Sequence, residues 1–396
     1  MLLVGEIQDP TYLRRTENIK IPMPPKAPSA DPRRAKCRAV AAENRDAYTA
    51  AIANQLPDLS PATAEKINLA STVPLDAADC PGFILSAADY PELPAFVKDS
   101  KPELAFPAGT PSADQRWFGT MVRVVDMDSF DCAISLPNQI FDLAVDDRVA
   151  ERLARKTRRR LRARCEEPAR LGENAGTVAV MNFANATTPG GGWMNGAVAQ
   201  EEVLCYRSTL AASLRARFYP WDPRDALYTR DVVIYRDRLS NTAPYGLDLL
   251  PQTKYTDGAE RLPVVSVISA AAVRNPATRA GRKFPGNLYF SNPAVRSLTK
   301  DKIRLTLRIA ASKGHALVVL GAFGCGAFAN PPQDVAFCFC EVMREPEFQG
   351  GWFKEIWFAV LDGGTGNYRT FKNIITRELW MCQKYTGTKG NASITT

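Results

Sequence analysis

The amino-acid sequence predicts an α/β protein of three layers, in which helices cover both faces of a mixed central sheet. The main observation is that runs with strand character alternate with helical patterns after Asp114. In addition, the chain has 396 residues, 45% hydrophobic and 23% charged, which is enough apolar material for a large core. We therefore expect one large folded domain preceded by a mainly helical accessory segment.

The N-terminal third of the chain has a different texture. Residues 1–31 hold the proline cluster IPMPPKAPSADP and predict an irregular extension. Residues 32–56 predict a long amphipathic helix, because an Asp-Pro start precedes apolar residues at helical spacing. Residues 57–112 are rich in Pro, Ala, Ser and Asp, and they predict loops and short helices. We place the accessory segment at 32–115, the core domain at 116–385 and a polar tail at 386–396.

Within the core domain, periodicity predicts the individual elements. The predicted strands cover residues 117–125, 131–136, 177–183, 232–235, 264–269, 316–322 and 356–361. The predicted helices cover residues 147–164, 200–214, 300–313 and 332–344. Apolar residues within 300–313 alternate as they would in a strand, and the length and position of that segment favour a helix.

The charge balance favours a polyanionic partner. Lysine and arginine number 50 against 42 acidic residues, which gives a formal net charge of +8. The densest basic run, residues 152–164, follows two aspartates on a predicted helix. It is either a solvated helix face or a surface that captures a phosphate-rich polymer or nucleic acid.

Several classes of function are excluded by composition. Apolar runs fall well short of the roughly 18 residues that cross a bilayer. At the N-terminus, the apolar run is too short and is followed too early by an acidic residue for a signal peptide. We expect an intracellular protein of the nucleus or cytoplasm, without a membrane partner. Nine cysteines without a CxxC pair predict reduced, mostly buried thiols, and the single His315 leaves no ordinary ligand set for zinc. We expect no metal, no cofactor and no catalysis through His315.

The strongest signal is the run VAVMNFANATTPGGGWMNGAVAQEEVLCYRSTL, residues 178–210. A buried strand is followed by three glycines, a seven-residue insert and a helix that starts with Gln-Glu-Glu. Adjacent glycines cost backbone entropy, so they indicate positive φ or a very close backbone approach to a ligand. The glutamates alone are also explained by an ordinary helix start, since carboxylates complement the helix dipole there. The candidate residues are Asn185, Gly190, Gly191, Gly192, Gln200, Glu201 and Glu202.

A second glycine loop lies in HALVVLGAFGCGAFANPPQDVAF, residues 315–337, between a hydrophobic strand and a helix that opens with prolines. Such a strand, loop and helix start form a concave array of backbone amides suited to a pyrophosphate. The loop matches neither the GxGxxG fingerprint nor the P-loop, so kinase and ATPase functions are excluded. The candidate residues are Gly321, Ala322, Phe323, Gly324, Cys325, Gly326, Ala327 and Phe328.

Together, the NFAN…GGG…QEE run and GAFGCGAF resemble the poly(ADP-ribose) glycohydrolases of the bacterial and fungal type. The resemblance covers roughly residues 117–379. It implies a macrodomain fold and a metal-independent glycohydrolase whose partners are poly(ADP-ribose), poly(ADP-ribosyl)ated proteins and the product ADP-ribose. Similarity to the bacterial type further implies cleavage from the chain terminus.

The resemblance also implies roles for the residues of the first loop. Glu202 would be the catalytic acid/base, and Glu201 would hold the ribose hydroxyls. Asn185 would contact the ribose being released, and the glycines at 190–192 would lie against that ribose. Gln200 would position the glutamate pair.

In the second loop, residues 321–327 would bind the diphosphate, and Phe328 would orient the terminal ribose. Core packing for Phe328 and a turn-forming side chain for Asn185 remain alternatives. The residues that hold the adenine are left open.

The chemistry requires a proton for the leaving 2′-oxygen and then a deprotonated water that attacks the oxocarbenium-like anomeric carbon. Neighbours on a helix point about 100° apart, so Glu201 and Glu202 cannot flank one bond and only one should carry the proton. Three other functions remain open: a macrodomain that only binds ADP-ribose, a hydrolase of mono-ADP-ribosylated protein, and a nucleic-acid-binding module that uses the basic helix.

Overall fold

The structure is a computed structural model that describes residues 31–55, 64–76, 84–85, 117–118, 120–138, 177–251, 253–254, 260–282, 286–348 and 352–385. The predicted extension up to residue 30, the predicted helix at 147–164 and the polar tail lie outside these residues. Among the described residues, no helix combines the length and the hydropathy that a membrane crossing requires.

The described strands and helices are numbered in chain order. The strands are β1 (Ala64–Asn68), β2 (Ile84–Leu85), β3 (Trp117–Phe118), β4 (Met121–Val125), β5 (Val178–Phe183), β6 (Asp225–Val233), β7 (Thr253–Lys254), β8 (Glu260–Arg261), β9 (Val264–Ala270), β10 (Thr278–Ala280), β11 (Leu288–Phe290), β12 (Leu317–Gly321) and β13 (Glu355–Ala359). The helices are α1 (Pro32–Gln55), α2 (Ser129–Asn138), α3 (Gln200–Arg207), α4 (Leu210–Ser213), α5 (Pro293–Ser312), α6 (Pro332–Met343) and α7 (Asn367–Tyr385).

A mixed sheet of seven strands forms the centre of the described fold, in the order β1-β6-β9-β5-β12-β13-β4. The neighbours from β9 to β4 are parallel, whereas β6 is antiparallel to both β9 and β1. The predicted mixed α/β fold is confirmed. The carboxyl ends of β5 and β12 therefore lie side by side, which is where polar loops of an open α/β sheet converge.

Two hydrophobic clusters cover the two faces of the sheet. One packs α5, α6 and α7 against the sheet through residues such as Ile303, Phe339 and Phe371. The other packs α2, α3 and α4 through residues such as Phe130 and Leu204. All five of these side chains are buried, so helices cover both faces and the predicted three layers are present.

Several predicted elements agree with the structure. The strands predicted at 177–183, 264–269, 316–322 and 356–361 and the helices predicted at 32–56 and 332–344 lie within a residue or two of the described bounds. The segment with strand-like alternation, 300–313, is the second half of α5. This helix begins earlier because the Asn292 side chain accepts a hydrogen bond from the amide of Ala294 and Pro293 occupies the first turn.

Other predictions are wrong. Residues 131–136 are helical, because the Asp128 carboxylate accepts from the amides of Phe130 and Asp131 and starts α2. The helix predicted at 200–214 is broken at Ser208, which pairs with Ile234 beside β6. The strand predicted at 117–125 is divided between β3 and β4, and the strand predicted at 232–235 begins earlier, as β6.

The accessory segment contains a strand that the sequence did not predict. Residues 57–112 are not only loops and short helices, because β1 lies within them and pairs with β6 as an outer strand of the central sheet. At the other end of the core domain, α7 is a helix for which the sequence analysis made no prediction. Both elements make long-range contacts that local composition does not record.

Candidate active site

The two glycine loops begin at neighbouring points of the sheet. β5 and β12 are parallel partners, and the loop after each strand starts at Phe183 and Gly321 respectively. A Cβ added to Gly321 would lie 2.8 Å from the ring of Phe183 and 2.7 Å from the carbonyl oxygen of Ala359. The strands approach too closely here for any side chain, so the two loops open into one region of the molecule.

Gln200 fixes the start of α3 against the end of β5. Its side-chain oxygen accepts from the amide of Phe183 at 2.8 Å. Its amide nitrogen donates to the carbonyl oxygen of Met181 at 2.8 Å and to the hydroxyl of Ser129 at 3.1 Å. Because both the oxygen and the nitrogen of its side chain are hydrogen-bonded, Gln200 holds the first turn of α3 against the end of β5.

Glu201 is 3% exposed and points back to the end of β5. Its Oε2 accepts from the amide of Asn185 at 2.7 Å, and its Oε1 is buried without a hydrogen-bond partner among the described residues. Burial raises the pKa of this carboxyl to about 8. The amide of Asn185 opposes that rise and the charge of Glu202 adds to it. Burial therefore favours the protonated form of Glu201.

Glu202 is held under the first glycine loop. Its Oε1 accepts from the amide of Gly192 at 2.8 Å, whereas its Oε2 is buried without a described partner. Gly191 has φ of +60°, and a Cβ there would lie 2.4 Å from Oε1 of Glu202. Only glycine combines this backbone conformation with so close an approach, which accounts for the central glycine of the triplet.

The insert between the glycines and Gln200 is fixed from outside. The hydroxyl of Tyr206 donates to the carbonyl oxygens of Trp193 and Ala197, at 2.6 and 2.9 Å. Helix α1 lies on the same insert, where a Cβ on Gly196 would lie 2.5 Å from the carbonyl oxygen of Arg34. The accessory helix thus forms the outer support of the loop that holds Glu202.

Asn185 forms a turn. Its side-chain oxygen accepts from the amides of Thr187 and Thr188, at 2.8 and 3.0 Å, and from the hydroxyl of Thr187 at 2.9 Å. This is the turn-forming alternative for Asn185. The side-chain nitrogen donates to no described residue, so only that nitrogen is available for the predicted ribose contact.

The second glycine loop presents backbone donors. The amides of Phe323 and Cys325 donate within the loop, to Gly321 and Ala322. The Phe323 ring is buried in the core. The amides that donate to no described residue belong to Gly324, Gly326, Ala327 and Phe328.

Asn330 holds that loop in shape. Its buried side-chain nitrogen donates to the carbonyl oxygens of Val273, Gly324 and Phe328, at 2.7, 3.2 and 3.2 Å. Gly324 has φ of +71°, and a Cβ there would lie 2.5 Å from the Ala272 side chain. The loop is therefore preorganised, with its free amides fixed before any anion binds.

His315 lies apart from this region. It precedes β12, whereas both glycine loops follow the carboxyl ends of their strands. Its Nδ1 is 2.9 Å from the carbonyl oxygen of Thr177, and its Nε2 is 2.9 Å from the hydroxyl of Tyr228. The histidine is a buried structural residue. Within the described ranges, no group of three His, Cys, Asp or Glu side chains could hold a metal ion.

One family model matches the region that contains the first glycine loop. Residues 115–240, which include the whole Gln-Glu-Glu loop, match the family model described as the microbial-type PARG catalytic domain, where PARG is poly(ADP-ribose) glycohydrolase. This part of the chain is therefore similar to the catalytic domain of a microbial-type PARG. No curated protein matches the chain in sequence.

The solved structure of one PARG shares the fold of this chain. The poly(ADP-ribose) glycohydrolase of Thermomonospora curvata is 22% identical, with a TM-score of 0.51 over 86% of this chain and 99% of that one. The same protein bound to the inhibitor ADP-HPD is 20% identical, with a TM-score of 0.49 over the same shares. The Deinococcus radiodurans protein in complex with ADP-ribose is 28% identical, with a TM-score of 0.42 over 66% of this chain and 85% of that one.

Sequence reasoning missed several residues that build this candidate site. Ser129 supports Gln200, and Asn182 is buried on β5, where its side chain bonds to Ser269 at 3.0 Å and lowers the pKa of Glu201. Asn330 organises the second loop. Asn330 alone had a local signal, since an Asn-Pro step after a glycine loop predicts a turn. The other two bond across elements, Ser129 of α2 to Gln200 of α3 and Asn182 of β5 to Ser269 of β9, and sequence spacing does not record such contacts.

Proposed function

We propose that the chain hydrolyses the ribose-ribose O-glycosidic bond of poly(ADP-ribose) from the chain terminus and releases ADP-ribose. One observation carries the proposal: a buried pair of carboxyls, each with an oxygen free of described partners, lies next to a loop with four free amides. The pair can move a proton, and the loop can bind a diphosphate.

Glu202 would carry the proton. Gly192 occupies its Oε1 and leaves Oε2 to deliver a proton to the leaving 2′-oxygen, after which the carboxylate accepts a proton from the attacking water. Glu201 would keep a proton on the pair near neutral pH and bind the ribose hydroxyls. Because adjacent carboxyls titrate together, the pH profile belongs to the pair.

The second loop would hold the terminal ADP-ribose unit. The amides of Gly324, Gly326 and Ala327 would bind its diphosphate, and Phe328, which is half-buried, would orient the ribose. A diphosphate in that place would also stabilise the positive charge that develops on the anomeric carbon.

Replacing Glu202 with Gln tests the assignment. The amide keeps the size of the side chain and cannot supply a proton, so we expect release of ADP-ribose to fall by about 10² to 10⁴. Binding of ADP-ribose should remain within about threefold, which is under 1 kcal/mol. Release is measured from purified poly(ADP-ribose) with a chelator present, and the surface variant Glu65→Gln is the matched control.

Three results would contradict the proposal. If the wild-type chain binds ADP-ribose and releases none, it is a binding module, and the glutamates only start the helix. If it cleaves a mono-ADP-ribosylated protein faster than the polymer, the substrate is a protein conjugate. Release of fragments longer than one unit would contradict cleavage from the terminus.

A further inference from the structure

The segment that links β9 to β10 packs against the far end of the second glycine loop. The amide of Asn275 donates to the carbonyl oxygen of Phe328 at 2.9 Å, and Asn330 donates to Val273 on the same segment. Asn275 and Ala329 have φ of +47° and +51°, a conformation that non-glycine residues rarely adopt. The two segments therefore meet in one defined arrangement.

Arg274 lies at this junction. Its guanidinium carbon is 5.9 Å from the centroid of the Phe328 ring, and its side chain is exposed. No acidic residue pairs with Arg274 in the described part of the chain. Arg279 and Arg282 lie further along the chain, in the hairpin that β10 and β11 form. Both are also exposed, and neither pairs with a described acidic residue. The guanidinium groups at this junction thus present positive charge to solvent beside Phe328.

We propose that Arg274 binds the diphosphate of the ADP-ribose unit on the leaving side of the cleaved bond. This inference rests on the proposed function. Every unit of the polymer carries two negative charges, and a guanidinium binds phosphate oxygens through paired donors. Arg279 and Arg282 would extend the attraction along the departing chain.

The position of Arg274 favours the adjacent unit over the terminal one. The free amides of Gly324, Gly326 and Ala327 precede Phe328 and suffice for the terminal diphosphate. Arg274 lies beyond them, against the ring that would orient the terminal ribose. The next phosphates along the polymer belong to the adjacent unit.

The assignment is tested by measuring the equilibrium binding of poly(ADP-ribose) and of ADP-ribose to the Glu202→Gln variant. This variant should leave the polymer intact during the measurement. Adding Arg274→Gln should raise the Kd for poly(ADP-ribose) by about threefold to tenfold and leave the Kd for ADP-ribose within about twofold. The slope of log Kd against log salt should become shallower by about 0.7 for each phosphate that the variant no longer neutralises. Arg274→Lys should recover part of the affinity. Arg230→Gln, an exposed position on β6 away from both glycine loops, should change neither Kd.

Equal weakening for ADP-ribose and for the polymer would overturn the assignment and place Arg274 on the terminal diphosphate. No change for either ligand would make it an ordinary surface arginine. Turnover of the wild-type chain is measured separately. A chain that binds the polymer without cleaving it would refute the proposed function and leave the test of Arg274 valid.

Discussion

At the scale of single residues, the two glutamates differ although they are adjacent. Glu201 bonds to the end of β5 through Asn185, and Glu202 bonds to the glycine loop through Gly192. Both are buried, and burial raises the pKa of Glu201 to about 8, from an ordinary value of 4.5. Glu201 would thus keep a proton on the pair, and Glu202 would exchange that proton with the substrate and the attacking water.

The raised pKa of Glu201 predicts how stability depends on pH. Its contribution is fully present below pH 4.5 and is lost as the pH rises to about 8, because the folded state holds the proton longer than the unfolded state. Over that interval the free energy of unfolding should fall by at most about 1.4 kcal/mol per pH unit. Glu201→Gln removes this loss, so its stability relative to wild type should increase toward pH 8.

Urea unfolding at several pH values measures the effect, with the exposed Glu65→Gln as control. Parallel stability profiles for wild type and Glu201→Gln would show that Glu201 ionises normally in the folded protein. The control should follow the wild-type profile, since Glu65 is a surface residue paired with Lys313.

At the scale of elements, α1 is joined to α3 by one buried amide. The Asn44 side chain donates to the carbonyl oxygens of Cys205 and Tyr206, at 3.3 and 3.0 Å, and accepts from Arg236 at 2.9 Å. The two carbonyls lie in the last turn of α3, which otherwise leaves acceptors unpaired. Asn44 therefore completes the helix whose first turn bears the glutamates.

Asn44→Ala should destabilise the fold by about 1–3 kcal/mol, because it leaves buried polar groups without partners. The neighbouring Glu43 has an exposed side chain that pairs with the buried Arg236, which also bonds to Asn44 and Leu247. Glu43→Ala leaves those two bonds in place and should cost under about 1 kcal/mol. Chemical denaturation compares the two variants. If Asn44→Ala costs no more than Glu43→Ala, the amide does not hold α1 in place.

At the scale of the whole molecule, the accessory segment is part of the fold. β1 pairs with β6 over five residues, Ala64 to Asn68 against Thr229 to Asp225. α1 buries Cys37, Val40 and Ala41 against Tyr206 and Leu247. The sheet and the outer support of the active site both need residues that precede the family match.

A chain that begins at residue 77, without α1 and β1, should therefore fail to unfold cooperatively and should associate, since it exposes the edge of β6 and an apolar surface. A chain that begins at residue 31 keeps every described element and should behave as the full-length protein. Thermal unfolding and size-exclusion chromatography distinguish them. A monomeric, cooperatively folded product from the shorter chain would show that the accessory segment is dispensable.

Much of the site could be predicted from sequence because its signals are local. A buried strand, three glycines and a Gln-Glu-Glu helix start lie within 33 consecutive residues, from 178 to 210. Glycine marks positions such as Gly191, where backbone and carboxylate approach too closely for a side chain. The alternation of strands and helices likewise identified most of the parallel sheet.

Tertiary structure decided the rest, because partners and burial depend on residues far apart in the chain. The helical start at Asp128, the pairing of residues 64–68 with β6 and the link from Asn44 to α3 all depend on distant contacts or on side-chain caps that periodicity misses. The raised pKa of Glu201 and the position of Arg274 over Phe328 arise only once the loops are packed together. Sequence by itself determined which chemical groups the site contains, and folding determined their protonation, their orientation and their neighbours.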